Sequence, residues 1–357
     1  MDKIKMKSTE RESLKSAENL PLVSIIIPTL NEGKYISQTL QQLHDQTYPQ
    51  NRMEIIVVDG GSTDSTFDIV SQWINRSVLN IKILPNTKRI SSCARNIGVS
   101  VAQGEYVLFI DAHVFIPSSQ LIENMVRAAH RQSALVLGRP QPLTPPALSV
   151  FQSVVANVRG SRFGHSTRSF IYSDAEGWVS PVSVGVMYHI SLFDKVGCFD
   201  ESFDAAEDVD FNFRLEQEGY KAYISSDFKV LYYPRKNIAG LVKQMFRYGL
   251  GRARFTNKHI GGLQFEIFFP VFALMILLVI GFMAFNSYMH ILCMTFCAIG
   301  YSSLVVLLYR TFDDVKELLL APFVLLSIYI GLALGLLAGL IECLNKKFCK
   351  RKESYNE

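Results

Sequence analysis

Residues 55–66 read IIVVDGGSTDST: four apolar residues in a row, then an aspartate, two glycines and a cluster of hydroxyl and carboxylate side chains. A short apolar run (Glu54–Val58, EIIVV) closed by a glycine-containing polar turn (Asp59–Asp64) is the pattern of a buried strand, and helical spacing follows it through Ile74. Working outward, three more runs have the same character: Leu22–Ile27 (LVSIII), ended by Pro28, then Ile81–Leu84, then Tyr106–Ile110 (YVLFI), which ends at Asp111. Between them lie helical stretches, Tyr35–Gln46 with Ile36, Leu40 and Leu43 on one face, and Ser91–Ala102. Strands apolar on both faces and alternating with helices predict an α/β domain with a mostly parallel, helix-covered sheet. Ligands of such sheets bind beyond the carboxyl ends of the strands. Thr29, Asp59 and Asp111 each fall just past a strand end, so one crevice should gather them.

The chain has 357 residues, 49% of them hydrophobic and 19% charged, with mean hydropathy +0.18. That is too apolar for an ordinary soluble enzyme, and the excess is local. No Asp, Glu, Lys or Arg occurs from Ile267 to Tyr309, nor from Leu318 to Ile341. Three stretches, Phe265–Phe285, Tyr288–Tyr309 and Leu318–Ile341, are long enough to span a bilayer, the first two joined at Asn286-Ser287. The expected order is a disordered leader (1–20), a catalytic domain (21–234), basic amphipathic interface helices (235–263), a membrane domain (265–341) and a basic tail (342–357). Within the catalytic domain, residues 22–132 would take one substrate and 135–233 the other. Arg235 to Lys258 holds seven Lys or Arg and no acid, which favours a cytoplasmic face and contact with anionic head groups. Three spans would then put Lys346, Lys347, Lys350, Arg351 and Lys352 outside, against the positive-inside bias, unless one segment is re-entrant. The polar leader shows no signal-peptide core, and a net charge of +4 argues against nucleic acid as partner. Six cysteines in no CxxC or zinc spacing predict neither a disulfide framework nor a zinc site.

The polar residues beyond the strands admit specific chemistry. Asp59–Asp64 can hydrogen-bond a sugar or base, and it also reads as a turn in which Ser62 or Thr63 caps the next helix. No GxGxxG follows the first strand, which argues against a dinucleotide oxidoreductase. Asp111 and His113, at i and i+2, share a strand-end face and can hold Mn²⁺ or Mg²⁺ with diphosphate oxygens completing the shell. Glu207, Asp208 and Asp210 begin a helix, where carboxylates either favour the dipole or supply a general base. Gln244 and Arg247 share a helix face, and Arg247 can clamp a phosphate or face lipid head groups.

Six stretches, in order, carry a resemblance: VSIIIPTLNE (Val23–Glu32), IIVVDGGSTDST (Ile55–Thr66), ARNIG (Ala94–Gly98), GEYVLFIDAH (Gly104–His113), AEDVDFNFRL (Ala206–Leu215) and QMFRY (Gln244–Tyr248). Together they resemble the family-2 inverting glycosyltransferases of the GT-A fold. DAH in place of DxD, and YYPR (Tyr232–Arg235) leading to QMFRYGLGRAR, are similar to the succinoglycan-biosynthesis branch. The resemblance implies a GT-A catalytic domain followed by C-terminal transmembrane helices. It also implies a nucleotide pocket lined by Pro28, Thr29, Asn31, Glu32 and Gly61, with Asp59 on uracil or ribose. Arg95 would lie near the donor, and Asp111 would reach diphosphate and metal. His113 stands where relatives have the second Asp of DxD, which keeps a ligand atom and removes one negative charge. Asp208 matches the catalytic base, with Glu207 beside it. Gln244, Arg247 and Tyr248, the last replacing Trp of QxxRW, would contact acceptor or diphosphate.

The implied reaction moves a hexose, UDP-glucose being the implied donor, to a lipid-linked saccharide at the cytoplasmic side of the cell membrane. Mg²⁺ or Mn²⁺ would be the cofactor, and membrane lipid and other polysaccharide-assembly enzymes the partners. Two alternatives compete with it: direct transfer to polyprenyl phosphate, and a non-catalytic protein that only binds nucleotide sugar.

Overall fold

The computed structural model describes residues 20–161, 163–164, 169–259, 268–284, 290–312 and 314–356. The expected leader, apart from Leu20, and the Asn286-Ser287 link lie outside the described residues. Val23–Thr29 (β1), Met53–Asp59 (β2), Asn80–Pro85 (β3) and Tyr106–Phe109 (β4) form a parallel set, with Ile36–His44 (α1), Thr66–Arg76 (α2) and Ser91–Val101 (α3) between them. Every residue of β2 is buried, as the uninterrupted apolar run predicts for a strand covered on both faces.

β1 continues through Pro28 rather than stopping before it, although it is a central strand. The hydrogen-bond pattern explains why. The N–H of Ile110 donates to the Ile26 carbonyl (3.0 Å), so even-numbered residues of β1 face β4, and pairing with β4 ends at Ile26. The N–H that Pro28 lacks would point where β4 has already turned away, so no ladder bond is lost. β2 runs alongside to the end, Thr29 opposite Asp59. Thr29 and Asp59 are therefore level, and Asp111 follows two residues after the end of β4.

Further along come Val114–Phe115 (β5), Leu121–Gln132 (α4), Val136–Gly138 (β6), Val150–Gly160 (α5), Gly177–Val179 (β7), Gly185–His189 (β8) and Ser191–Val196 (α6). Glu207–Gln217 (α7), Ala222–Ile224 (β9) and Leu231–Tyr232 (β10) follow. The main sheet has eight strands in the order β3-β2-β1-β4-β8-β6-β9-β7, with β8 antiparallel to β4 and β6, β9 parallel to β6, and β7 antiparallel to β9. Tyr188, Phe193, Phe199 and Phe211 pack one another behind its second half, Phe199 stacked on Phe211 at 4.6 Å between centroids. The chain clusters into two compact units. The first comprises residues 1–141, 173–199 and 211–231 and holds the whole eight-stranded sheet; the second comprises 142–172, 200–210 and 232–357. The division does not follow the linear halves 22–132 and 135–233, because β6, β7, β8 and β9 extend the sheet begun by β1–β4.

One buried charge sits inside β2. Glu54 is fully buried and accepts bonds from the Ser24 hydroxyl and the Gln103 N–H, both at 2.6 Å, with Lys82 Nζ at 3.1 Å. Burial alone would push its carboxyl up; Ser24, the Gln103 N–H and Lys82 outweigh that and hold it below the usual glutamate range. A depressed folded value means stability fully present above the unfolded glutamate range and lost as pH falls through the folded one. Glu54→Gln is expected to cost about 2 kcal/mol of unfolding free energy at neutral pH. It should also flatten the acid side of the stability curve, as chemical denaturation between pH 3 and 7 would show.

The second unit contains α5 and four more helices: Ile238–Lys258 (α8), Phe269–Ala284 (α9), His290–Leu308 (α10) and Val315–Asn356 (α11). α8 and α11 touch backbone to backbone. A Cβ on Gly249 would lie 2.2 Å from the Leu332 carbonyl oxygen, and one on Gly335 would lie 2.0 Å from that of Phe246. Only glycine permits this approach, and it repeats at Gly331 and Gly339 one turn to either side. Val154, Val155 and Val158 of α5 join Leu241 and Met245 of α8 and Leu318, Ala321, Val324, Leu325 and Ile328 of α11 in one core. Among the described residues, Val315–Asn345 is the one stretch long and apolar enough to cross a membrane, and half of its most apolar part is buried. Of the three expected spans it contains the third. The described parts of the other two are α9, 16 residues long, and α10.

Candidate functional site

In the first unit, the loops after β1 and β2 are laced together by side chains. The Asn31 N–H donates to the Ser62 hydroxyl (2.8 Å), and Asn31 Oδ1 accepts from the Thr63 N–H (2.8 Å). The Glu32 N–H donates to the Thr66 hydroxyl (2.8 Å), and the Gly33 N–H to Asp64 (3.0 Å). Asp59 Oδ2 accepts from the N–H groups of Gly61 and Ser62, both at 3.0 Å, and Oδ1 accepts from the Ser62 hydroxyl at 2.5 Å and Thr29 at 3.4 Å. Both Asp59 oxygens thus shape the turn itself; neither Ser62 nor Thr63 caps α2, whose N-cap position is Ser65 and whose Thr66 N–H donates instead to Asp64 Oδ1 (3.0 Å). Gly61, at φ 75° with open space where a Cβ would be, takes the left-handed conformation that this turn needs. Asn31 is also left-handed, at φ 58°, a conformation asparagine tolerates better than most residues.

Asp111 and His113 follow β4. His113 Nδ1 lies 2.9 Å from Glu32 Oε1, both side chains being largely buried. In the tautomer that carries its proton on Nδ1, such a pair makes Nε2 the ligand atom, the arrangement by which second-shell carboxylates orient histidine ligands. Burial alone would push the Asp111 carboxyl up, but Arg95 foremost, then His113, Arg139 and a bond from Gln141, hold it below the usual aspartate range. Asp111 is therefore a charged oxygen donor and His113 a nitrogen donor. That set suits Mg²⁺ or Mn²⁺ if ligand oxygens supply the rest of the shell. Among the described residues no group of three or more His, Cys, Asp or Glu side chains is placed to hold a metal ion, so the protein alone would not complete one.

Arg139, just after β6, went unnoticed in the sequence. It is 2% exposed, donates through Nη1 to the Phe109 carbonyl (3.2 Å), and its Nε has no partner among the described residues. Burial lowers its pKa to about 10, with Asp111 working against that shift. The only sequence signal was a lone cation after the apolar run Ala134–Gly138. Arg95 lies over the rings of Phe109 and Phe199, at 4.8 and 5.5 Å from their centroids. Asp111 is thus flanked by two guanidinium groups, a setting that favours phosphate oxygens.

In the second unit, the three acidic residues heading α7 have different surroundings. Asp210 is fully buried, against Lys258 Nζ (2.8 Å) and His259 Nε2 (2.7 Å). Glu207 is 6% exposed. Asp208 faces solvent and accepts the N–H of Val209 at 2.8 Å. Gln244 donates to the Tyr248 hydroxyl (3.3 Å), and the guanidinium of Arg159 lies 5.9 Å from the centroid of the Tyr248 ring. Arg247 grips Asp204 through both carboxylate oxygens (3.0 and 3.1 Å) and its carbonyl (2.7 Å). Arg254 pairs with Glu342 (2.9 Å) and Lys258 with Asp200 (2.6 Å) as well as Asp210. These basic residues of α8 are therefore matched by acids, rather than left as a stripe for head groups. Arg159 and Arg252 have no ion pair among the described residues. Burial pulls the Arg252 guanidinium down, against the pull of Asp208.

Known proteins share the chain's sequence patterns and its fold. The family model for glycosyl transferase family 2 matches residues 24–146, and that for glycosyl transferase family group 2 matches residues 141–338. The succinoglycan biosynthesis protein ExoA of Rhizobium meliloti is 31% identical over 66% of this chain and 70% of its own. A Methanococcus voltae dolichyl N-acetyl-alpha-D-glucosaminyl phosphate 3-beta-D-2,3-diacetamido-2,3-dideoxy-beta-D-glucuronosyltransferase is 29% identical over 76% of this chain and 85% of its own. A mannosyltransferase from Pyrobaculum calidifontis, solved with GDP-mannose and Mn²⁺, shares the fold at a TM-score of 0.55 and 20% identity, over 92% of this chain and 88% of that one. The α/β, GT-A-like sheet expected from the sequence is the fold observed.

Proposed function

Because this chain belongs to glycosyl transferase family 2, an enzyme family whose relatives use nucleotide sugars, we propose that it is an inverting, membrane-anchored hexosyltransferase acting on a lipid-linked saccharide. The observation that carries the reading is the sorting of the carboxylates at the head of α7. Asp210 is buried in ion pairs, Glu207 is buried, and Asp208 alone meets solvent. A general base must reach the proton it removes, so Asp208 fits the role and Glu207 supports the turn beside it.

In this scheme Asp208 takes the proton of an acceptor hydroxyl, whose oxygen attacks the anomeric carbon as the bond to the nucleoside diphosphate breaks. One displacement inverts the anomeric configuration. Arg95 and Arg139 stabilise the negative charge that develops on the departing phosphate oxygens. Asp111 and His113 would hold a divalent ion, with Glu32 orienting the imidazole; when bound, the ion supplies further neutralisation of the diphosphate. Pro28, Thr29, Asn31, Glu32 and Gly61 line the nucleotide side, where Asp59 acts by fixing the turn. Gln244 and Tyr248 meet the acceptor, and Arg159, which has no ion pair among the described residues, suits its phosphate.

A lipid-linked acceptor is favoured by the apolar Val315–Asn345 stretch and by the dolichyl-linked substrate in the name of the Methanococcus relative. UDP-glucose as donor, the expected multi-pass anchor and a cytoplasmic catalytic side complete the proposal. The test is product analysis after incubation with UDP-α-glucose and lipid-linked saccharides. A β-linked hexose on the saccharide is expected. A hexose on the lipid phosphate itself would instead assign the enzyme to the polyprenyl-phosphate class.

A further inference from the structure

α8 presents Arg247, Gly251, Arg254 and Lys258 at i, i+4, i+7 and i+11, the spacing of a single helix face. Every one of them meets the segment 200–210. Arg247 holds Asp204 by a two-pronged carboxylate pair and a bond to its carbonyl. A Cβ on Gly251 would lie 2.4 Å from the Ala205 carbonyl oxygen and 3.0 Å from the Ala206 Cβ, so the helix rests directly on that turn. Arg254 donates to the Ser202 carbonyl (3.0 Å), and Lys258 bridges Asp200 (2.6 Å) and Asp210 (2.8 Å). Between these anchors Ala206 adopts φ 66°, a left-handed conformation that a residue with a Cβ takes only when its surroundings hold it there. α7 begins at the next residue, and Asp208 is its second.

We infer that Arg247 is a positioning residue: it fixes the strained turn 204–206 through Asp204, and that turn sets where the Asp208 carboxylate stands. The inference rests on the reading of Asp208 as the base. It gives the arginine of the QMFRY stretch a task that needs no phosphate contact. The planar fork is what the task requires, since it bonds two carboxylate oxygens and a carbonyl at once, which lysine cannot reproduce.

The test compares wild type with Arg247→Gln, Arg247→Lys, Asp204→Asn and the Arg247→Gln/Asp204→Asn double variant, all as full-length protein in nanodiscs. Donor binding, turnover with saturating acceptor, and hydrogen exchange of residues 200–210 are measured. Each single variant should lower kcat by about 10- to 10²-fold, the scale for a misplaced catalytic group, with donor affinity unchanged. Arg247→Lys should be nearly as impaired as Arg247→Gln, and the double variant no slower than the slower single one, because both changes break one contact. Exchange at 204–210 should rise in all of them. A phosphate clamp predicts the opposite: weakened donor binding in Arg247→Gln, near-normal activity in Arg247→Lys and in Asp204→Asn. That result, or additive losses in the double variant, would overturn the inference. Asp208→Asn in the same series separates the two levels. Normal turnover there removes the base assignment, whereas an inactive Asp208→Asn with uncoupled Arg247 and Asp204 variants removes only the positioning role.

Discussion

Asp208→Asn is expected to lower turnover by about 10²–10⁴-fold, the usual worth of a correctly placed general base, and to leave nucleotide-sugar binding intact. The substitution keeps size and polarity and removes only the capacity to accept a proton. It should fold normally, because Asp208 is exposed and the bond it accepts from the N–H of Val209 can be kept by an amide oxygen. Glu207→Gln and Asp210→Asn are the informative comparisons. Both side chains are buried, and Asp210 pairs with Lys258 and contacts His259 Nε2, so Asp210→Asn should cost stability as well as activity. Steady-state rates with paired calorimetric donor titrations separate these cases. Wild-type turnover in Asp208→Asn would remove it from the mechanism.

The second large effect is structural. Gly335→Leu is expected to destabilise the second unit by about 3 kcal/mol, near the upper range for forced overpacking. The reason is that the new Cβ meets backbone: it would lie 2.0 Å from the Phe246 carbonyl oxygen and 3.0 Å from the Leu250 N, and no rotamer change relieves such a contact. α8 and α11 would have to separate, and with them would go the Arg254–Glu342 pair (2.9 Å). Since α8 also braces the segment 200–210, activity should fall together with thermal stability in detergent. Gly300→Leu, on α10 where nothing among the described residues lies within 4 Å of the added Cβ, is the matched control and should change neither.

The first four strands were legible because each is a run of apolar residues ending at a polar turn, and a buried parallel strand has almost no other way to be written. Pro28 misled at the boundary: a proline ends most strands, and only the hydrogen-bond parity of β1 shows that this one loses nothing. The candidate residues of the first unit were legible for the same reason, since strand ends collect ligand-binding side chains. What they do there was less so. Asp59 is taken up by its own turn, and the pairing of Glu32 with His113 joins residues 81 positions apart, which no local pattern encodes. The basic character of Arg235–Lys258 was plain in the sequence, but its partners were not. Asp204 lies 43 residues before Arg247, and Glu342 lies 88 after Arg254, so charge counting alone suggested a lipid-facing helix. Arg139 carried no periodic signal; its burial and its orphaned Nε become visible only once β6 is paired into the sheet.

The most direct measurement is nucleoside diphosphate release by the purified protein in nanodiscs, with a panel of UDP- and GDP-sugars, with and without lipid-linked saccharide acceptors, in Mg²⁺, Mn²⁺ and EDTA. Release that requires one nucleotide sugar and a lipid-linked saccharide together is the predicted result, falling in EDTA if Asp111 and His113 hold a metal. Absence of donor binding across the whole panel, with the protein folded, would contradict the assignment of a nucleotide-sugar site to the ends of β1, β2 and β4.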